Sequence, residues 1–175
     1  TDDGAVDIAG ITGTISAETS DGSIHAENIS GSARLKTSDG TIACVQVRAD
    51  NLDVQTSDGG IKLDDVTAKS ATARTSDGEI SANAVQADSL TLRTSDGNIR
   101  CNGTAAERIE SHTSDGSIHI ECAADAPKAP YVDATTSDGE ITFVAPPGMS
   151  AAIEASTNDG SIHTQLPITV QGEVR

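Results

Sequence analysis

Large side chains are nearly missing from this sequence. Among 175 residues there are one Phe, one Tyr, one Met and no Trp. A globular core of this length normally leans on aromatic bulk, so a wide, rounded interior is excluded. The apolar residues that remain are mostly Ala, Ile, Val and Leu, which can fill only a thin interior. Cations are scarce too: 11 Lys and Arg stand against 27 Asp and Glu, a formal charge of −16. Nucleic acid is held by basic stripes that displace counterions, and no such stripe runs through the chain. Anionic membrane surfaces are disfavoured on the same ground. The three cysteines, Cys44, Cys101 and Cys122, show no C-x-x-C spacing, which removes the common zinc and dithiol redox motifs. Their odd number argues against a full disulfide framework. No run of 18 apolar residues occurs, so no helical membrane insertion is expected in this segment. The sequence opens without an initiator Met or a signal peptide, inside a repeat pattern at Thr1-Asp2-Asp3-Gly4. It therefore reads as a mature or excised fragment of a longer chain.

What the sequence does have is a repeat. Thr-Ser-Asp-Gly stands at residues 19–22, 37–40, 56–59, 75–78, 94–97, 113–116 and 136–139, with variants at 1–4 and 157–160. Its glycines are Gly4, Gly22, Gly40, Gly59, Gly78, Gly97, Gly116, Gly139 and Gly160, separated by 18, 18, 19, 19, 19, 19, 23 and 21 residues. A fixed period of this size marks a solenoid or array.

Around each Asp-Gly the residues alternate with period two, the mark of a half-buried strand. Two positions after the glycine comes a column of Val6, Ile24, Ile42, Ile61, Ile80, Ile99, Ile118, Ile141 and Ile162. Two positions further lie Ile8, Ala26, Cys44, Leu63, Ala82, Cys101, Ile120, Phe143 and Thr164. Before the motif, Ile15-Ala17-Thr19, Leu52-Val54-Thr56 and Leu90-Leu92-Thr94 share the inward face, while Glu18, Lys36, Gln55, Arg74, Arg93 and His112 take the outward one. The motif threonines thus point inward, with hydroxyls placed to bond turn backbone. Asp is expected to lock the turn by accepting from backbone two residues on, and Gly to permit a positive φ. A second, less uniform turn falls at Ala9-Gly10, Ile29-Ser30-Gly31, Val66-Thr67-Ala68 and Asn102-Gly103.

Isolated hairpins are marginal, and repeated inward columns demand in-register stacking. The expected fold is all-β: a single-domain parallel β-solenoid over residues 1–175. About nine rungs of 18–23 residues are expected, with two main strands each and right-handed coiling by the crossover rule. Two insertions lengthen late rungs, one within residues 121–135 and one at 145–150. Both carry proline, which cannot donate to a ladder, so both are expected as loops at the second-turn edge. Residues 165–175 read as an unfinished rung. An open rung presents unpaired backbone, so flanking sequence or end-to-end self-association is expected to cover it.

Candidate chemistry is sparse. Asp21, Asp39, Asp58, Asp77, Asp96 and Asp115 should line one edge, about 4.8 Å apart, where neighbouring carboxylates could share calcium. Calcium β-rolls use Gly-Gly-x-Gly-x-Asp instead, so the structural turn reading is preferred and no other cofactor is expected. Ice binding needs an exposed threonine face, and these threonines point inward. Catalysis needs convergent groups. His25, His119 and His163 share an outward column on separate rungs, and His112 and His119 take opposite outer faces of one rung. The cysteines act as small apolar fillers, with Cys101 and Cys122 offset along neighbouring rungs.

The stretch Thr19-Ser20-Asp21-Gly22-Ser23-Ile24-His25-Ala26-Glu27-Asn28-Ile29-Ser30-Gly31 resembles the bacterial adhesin-like domain of unknown function, a β-strand-repeat, toast-rack-like family. The resemblance extends over essentially the whole chain. It implies a cell-envelope or extracellular setting and brings no catalytic residues. The expected role is a nonenzymatic structural or adhesin-like module that meets a surface protein or glycan, or further copies of itself. The alternatives are a calcium-responsive solenoid and a filament subunit.

Overall fold

The computed structural model describes residues 3–166; most of the unfinished rung expected at 165–175 lies outside the described residues. The described residues form thirteen strands and no helix. These are β1 (Val6–Ala9), β2 (Ile15–Glu18), β3 (Ile24–Ser30), β4 (Ala33–Lys36), β5 (Ile42–Gln55), β6 (Ile61–Arg74), β7 (Ile80–Arg93), β8 (Ile99–His112), β9 (Ile118–Cys122), β10 (Tyr131–Thr135), β11 (Ile141–Val144), β12 (Ala152–Ser156) and β13 (Ile162–Thr164). All pairings are parallel. The segments that follow the motif stack in the order β1-β3-β5-β6-β7-β8-β9-β11-β13, and β2, β4, β10 and β12 extend the second side. Each Asp-Gly therefore opens a new turn of a β-solenoid, with about eight turns closed and one more begun.

The register reproduces the sequence columns. Ile42 pairs with Ile61, Cys44 with Leu63, Val54 with Ala73, and so on down the stack. The central four rungs, β5 to β8, each run as one 14-residue strand instead of the two strands seen in the outer rungs. Their ladder is nevertheless interrupted twice. Between β5 and β6 the Gln46/Asp65 and Asp50/Lys69 positions have no partner, and the inward parity slips there from Cys44 to Val47 and from Ala49 to Leu52. Each rung thus has three flat segments and two corners. The first corner is a single residue in the left-handed region: Gly10, Asn28, Gln46, Asp65, Ala84 and Gly103 have φ between 50° and 67°. This corrects the expected second turn at Ile29-Ser30-Gly31 and Val66-Thr67-Ala68, because the bend precedes those apolar residues. The period-two count hid it, since one left-handed residue reverses the parity without any run of turn-forming residues.

The interior is filled by complementary volumes. In β6, Leu63 faces inward together with Ala71 and Ala73, whereas in β7 the set is Ala82 with Leu90 and Leu92. All six are essentially excluded from solvent. The corner segment adds an alanine column, Ala49-Ala68-Ala87-Ala106. A thin core packs densely this way without aromatics.

The turn itself differs from the expectation in both of its key residues. None of the motif glycines has a positive φ. They are glycine because rungs touch there: a Cβ on Gly59 would lie 2.5 Å from the Gly40 carbonyl carbon and closer still to its oxygen. The carboxylates of Asp39, Asp58, Asp77, Asp96 and Asp115 make no hydrogen bond to the turn. The threonine does that work. Thr75 Oγ1 shares its proton between Ser57 O and Gly59 O of the rung before, both at 2.9 Å, and accepts from Gly78 N at 3.3 Å. Ser57 O also receives the backbone N–H groups of Ser76 and Asp77. The arrangement repeats at Thr37, Thr56, Thr94, Thr113 and Thr136, all of them buried.

The insertions are loops at the second-turn edge, as expected, spanning residues 123–130 and 145–151. They also stack on each other: Ser150 N donates to Lys128 O and Ala152 N to Pro130 O, with Met149 buried against the core.

Thr75→Val keeps the shape of the side chain but leaves Gly59 O and Gly78 N without their partner. We expect a loss of about 1–3 kcal/mol in urea unfolding, while Thr75→Ser, which retains the hydroxyl, costs less. Gly78→Ala, which forces a Cβ into the Gly59 backbone, is expected to cost more than Thr75→Val, because no flexible side chain is there to yield.

Candidate functional site

Chemistry in a solenoid is confined to its outward columns. On the third segment of each rung two columns lie side by side. One runs Arg34-Asp53-Thr72-Thr91-Glu110-Asp133-Glu154 and the other Lys36-Gln55-Arg74-Arg93-His112-Thr135-Ser156. Opposite charges meet across and along them. Lys36 Nζ reaches Glu18 at 3.0 Å, Arg34 and Arg74 reach Asp53 at 3.8 and 3.6 Å, and Arg93 reaches Glu110 at 3.7 Å. Arg108 Nε donates to Glu110 Oε1 at 2.7 Å, and its guanidinium stacks 4.4 Å above the Tyr131 ring. The Tyr131 hydroxyl donates to Glu154 at 3.0 Å. This face is charge-compensated in a chain that is otherwise strongly acidic. Sequence reasoning saw only a mixed column here, because the pairing depends on register across rungs.

The Arg108 hydrogen bond holds the Glu110 carboxyl below its usual range, with the Arg108 and Arg93 charges adding to it. The bond from Tyr131 to Glu154 pushes the tyrosine hydroxyl up.

The motif aspartates stand exposed at successive turns. Their backbone amides are fixed, for example Asp58 N to Ser38 O at 2.9 Å, so the residues stack one per rung. Among the described residues no group of three or more His, Cys, Asp or Glu gathers closely enough to hold a metal. The expected calcium edge Asp21, Asp39, Asp58, Asp77, Asp96 and Asp115 is thus a line, not a cage. The glycines Gly22, Gly40, Gly59, Gly78, Gly97, Gly116, Gly139 and Gly160 sit directly over one another.

Three of the four histidines pair singly with acids: His25 with Glu27 at 3.6 Å, His112 with Asp133 at 3.9 Å, and His163 with Glu140 at 3.7 Å. Ser161 Oγ lies 3.1 Å from His163 Nε2, the same ring nitrogen that faces Glu140, so serine and acid do not flank the ring from its two nitrogens as a Ser-His-acid relay requires. The cysteines are buried and free. Burial pushes the Cys44 and Cys101 thiols up to about 12 and Cys122 to about 11, which leaves them protonated and unreactive at neutral pH. Cys122 lies beside Thr104, not beside Cys101, in the ladder.

One rung has a polar interior that the sequence columns did not flag. Thr104 and Ser111 are completely buried in β8, and neither hydroxyl oxygen has a hydrogen-bond partner by geometry, although the Cys101 thiol interacts with Thr104. A buried hydroxyl left without a partner, as at Ser111, costs about 1–3 kcal/mol. A hollow lined by Phe143, Ile153 and Ile162 among others is the solenoid interior seen at its last described rung.

A family description, Toastrack DUF4097, matches residues 30–175. The chain belongs to the Toastrack family. The match begins at Ser30, yet β1 to β3 continue the same ladder upstream, so the Toastrack repeat geometry extends over the earlier rungs as well. No curated protein and no solved structure matches the chain.

A carboxylate with a depressed pKa stabilises the fold above its ordinary range, and that contribution is lost as pH falls through the folded value. Glu110→Gln should therefore flatten the acid limb of the stability–pH curve, with urea midpoints of wild type and variant converging at low pH. A constant separation at every pH would contradict the Arg108–Glu110 assignment.

Proposed function

We propose that this Toastrack chain is a nonenzymatic structural or adhesin-like module of the bacterial cell envelope or surface. It works outside the cytoplasm as a stiff rod that displays columns of polar side chains to a surface protein or glycan. One observation carries this reading. The solenoid commits every inward position to packing, and its register turns every outward position into a straight column at one-rung spacing. Such a surface offers a flat repetitive array that spreads its polar groups along the rod. The envelope setting is supported by the resemblance of the repeat, and the small protonated interior cysteines are compatible with it.

The second reading is a calcium-responsive solenoid. It is favoured by the exposed aspartates, which recur on every turn although the turn makes no hydrogen bond to their carboxylates from Asp39 to Asp115. Self-association through solenoid ends would serve either role.

The rod reading expects the protein in the envelope or external fraction of intact cells, accessible to added protease. Binding of the purified chain to isolated surface material should fall when Arg74 and Arg93 are both changed to Glu, with thermal melting nearly unchanged. Recovery in the cytosolic fraction alone would remove this reading. Melting curves in excess calcium and in chelator should coincide; a large upward shift with calcium would transfer the function to the aspartate edge.

A further inference from the structure

We propose that Asn102 is a site of spontaneous deamidation, built into the left-handed corner of the sixth rung. Asn102 is exposed and precedes Gly103, which sits in the left-handed region at φ 59°. A Cβ added to Gly103 would meet nothing within 4 Å, so the space a cyclic intermediate needs is open. The backbone also leaves regular register here on the side of the next rung, while Asn102 stays paired with Asn83 on the other. In the β8–β9 pairing Cys101 faces Ile120 and Thr104 faces Cys122. Asn102 and Gly103 therefore stand against Glu121 alone, a β-bulge in which the ladder is locally broken. The same rung carries the unpaired interior hydroxyl of Ser111, which lowers its local stability.

The chemistry requires only water. The Gly103 amide nitrogen, having lost its proton to solvent base, bonds to Cγ of Asn102. The Cγ–Nδ2 bond breaks, and ammonia leaves with the proton returned. Water then opens the succinimide at either carbonyl, giving Asp or isoaspartate at position 102. No electrons are transferred. The product loses the donor that now runs from Asn102 Nδ2 to Asn83 Oδ1 at 2.9 Å, which continues the line from Asn83 Nδ2 to Asp64 at 2.7 Å. It also adds a negative charge to that column.

The repeat supplies its own controls. Asn83 occupies the same column one rung earlier but is followed by Ala84, whose Cβ shields the attacking nitrogen, and its ladder to β8 has no bulge. The motif's Asp-Gly pairs share the small successor, yet their glycine nitrogens donate to threonine, as in Gly59 N to Thr56 Oγ1 at 3.3 Å. The preceding rung's backbone fills the space around them.

The folded protein, held at neutral pH and digested at intervals, is read by peptide mass mapping, ammonia release and isoaspartyl methyltransferase labelling. Asn102 should convert roughly tenfold or more faster than Asn83, as an unshielded glycine neighbour permits. Gly103→Ala is expected to fold, because Ala84 already occupies the equivalent corner, and to bring Asn102 down to the Asn83 rate. Conversion at Asn102 no faster than at Asn83, or unchanged in Gly103→Ala, overturns the proposal. So does native-state isoaspartate at Asp58 or Asp77 equal to that at position 102.

Discussion

The structure depends on glycine stacked over glycine. At the Asp-Gly turn the rungs approach so closely that the carbonyl of one glycine lies where the next would carry a side chain. That contact fixes the rung spacing at one point on the circumference, and the threonine beside it clamps the contact. Its hydroxyl bonds backward to two carbonyls and accepts from the glycine of its own turn. A hydroxyl that both donates and accepts inside the stack satisfies groups that would otherwise be buried without partners. This explains why the tetrapeptide repeats so faithfully while the rest of each rung drifts. Extra residues are tolerated elsewhere: the rung lengthened by residues 123–130 still places Thr136 on Ser114 O and Gly116 O.

The second constraint is volume. With two long sides and a short corner segment, the interior admits only a few side chains per rung, and their summed size must stay constant while their identities vary. Leu63 above two alanines and Ala82 above two leucines solve the same problem in opposite ways. A phenylalanine appears only at Phe143, near the last described rung, where Thr164 follows in its column. The scarcity of aromatics noted in the sequence is thus a consequence of cross-section. The rung that departs from this economy, β8 with Cys101, Thr104 and Ser111, retains its place through its neighbours' packing, and it is also where the ladder bulges.

The fold was legible because its determinants are periodic in one dimension. The apolar columns, the inward threonines and the proline-bearing loops could all be counted from the sequence. Three things were not legible. The left-handed corner is held by Asn28 and Asp65, types that tolerate that conformation, but equally by Gln46 and Ala84, which do not favour it, so stacking against the rungs above and below must select it there. The reason for glycine was also hidden: sequence alone suggests a positive φ, whereas the steric demand comes from a residue 18 to 23 positions away. The charge-compensated face was equally invisible, since Arg74 meets Asp53 and Arg93 meets Glu110 only once register is known.

The aspartate of the motif is the element the turn does not account for. Threonine and glycine are required by hydrogen bonding and by sterics, and serine contributes its carbonyl. The aspartate contributes its amide to the preceding serine carbonyl, a role that any residue with an N–H could fill. Its carboxylate, exposed on turn after turn, raises like-charge repulsion along one edge, at roughly 1 kcal/mol for a pair 4 Å apart in water. From Asp39 to Asp115, a carboxylate that adds repulsion and makes no hydrogen bond to its own turn calls for a reason outside the rung. Keeping flat, repetitive edges from pairing with other chains is one such demand, because charge on an edge opposes strand-to-strand aggregation. Solenoids expose long regular surfaces, so the same repetition that makes the rod stiff also makes it self-complementary. An acidic edge opposes lateral self-association while leaving the compensated face of Arg74, Arg93 and Tyr131 as the less repulsive side for a partner.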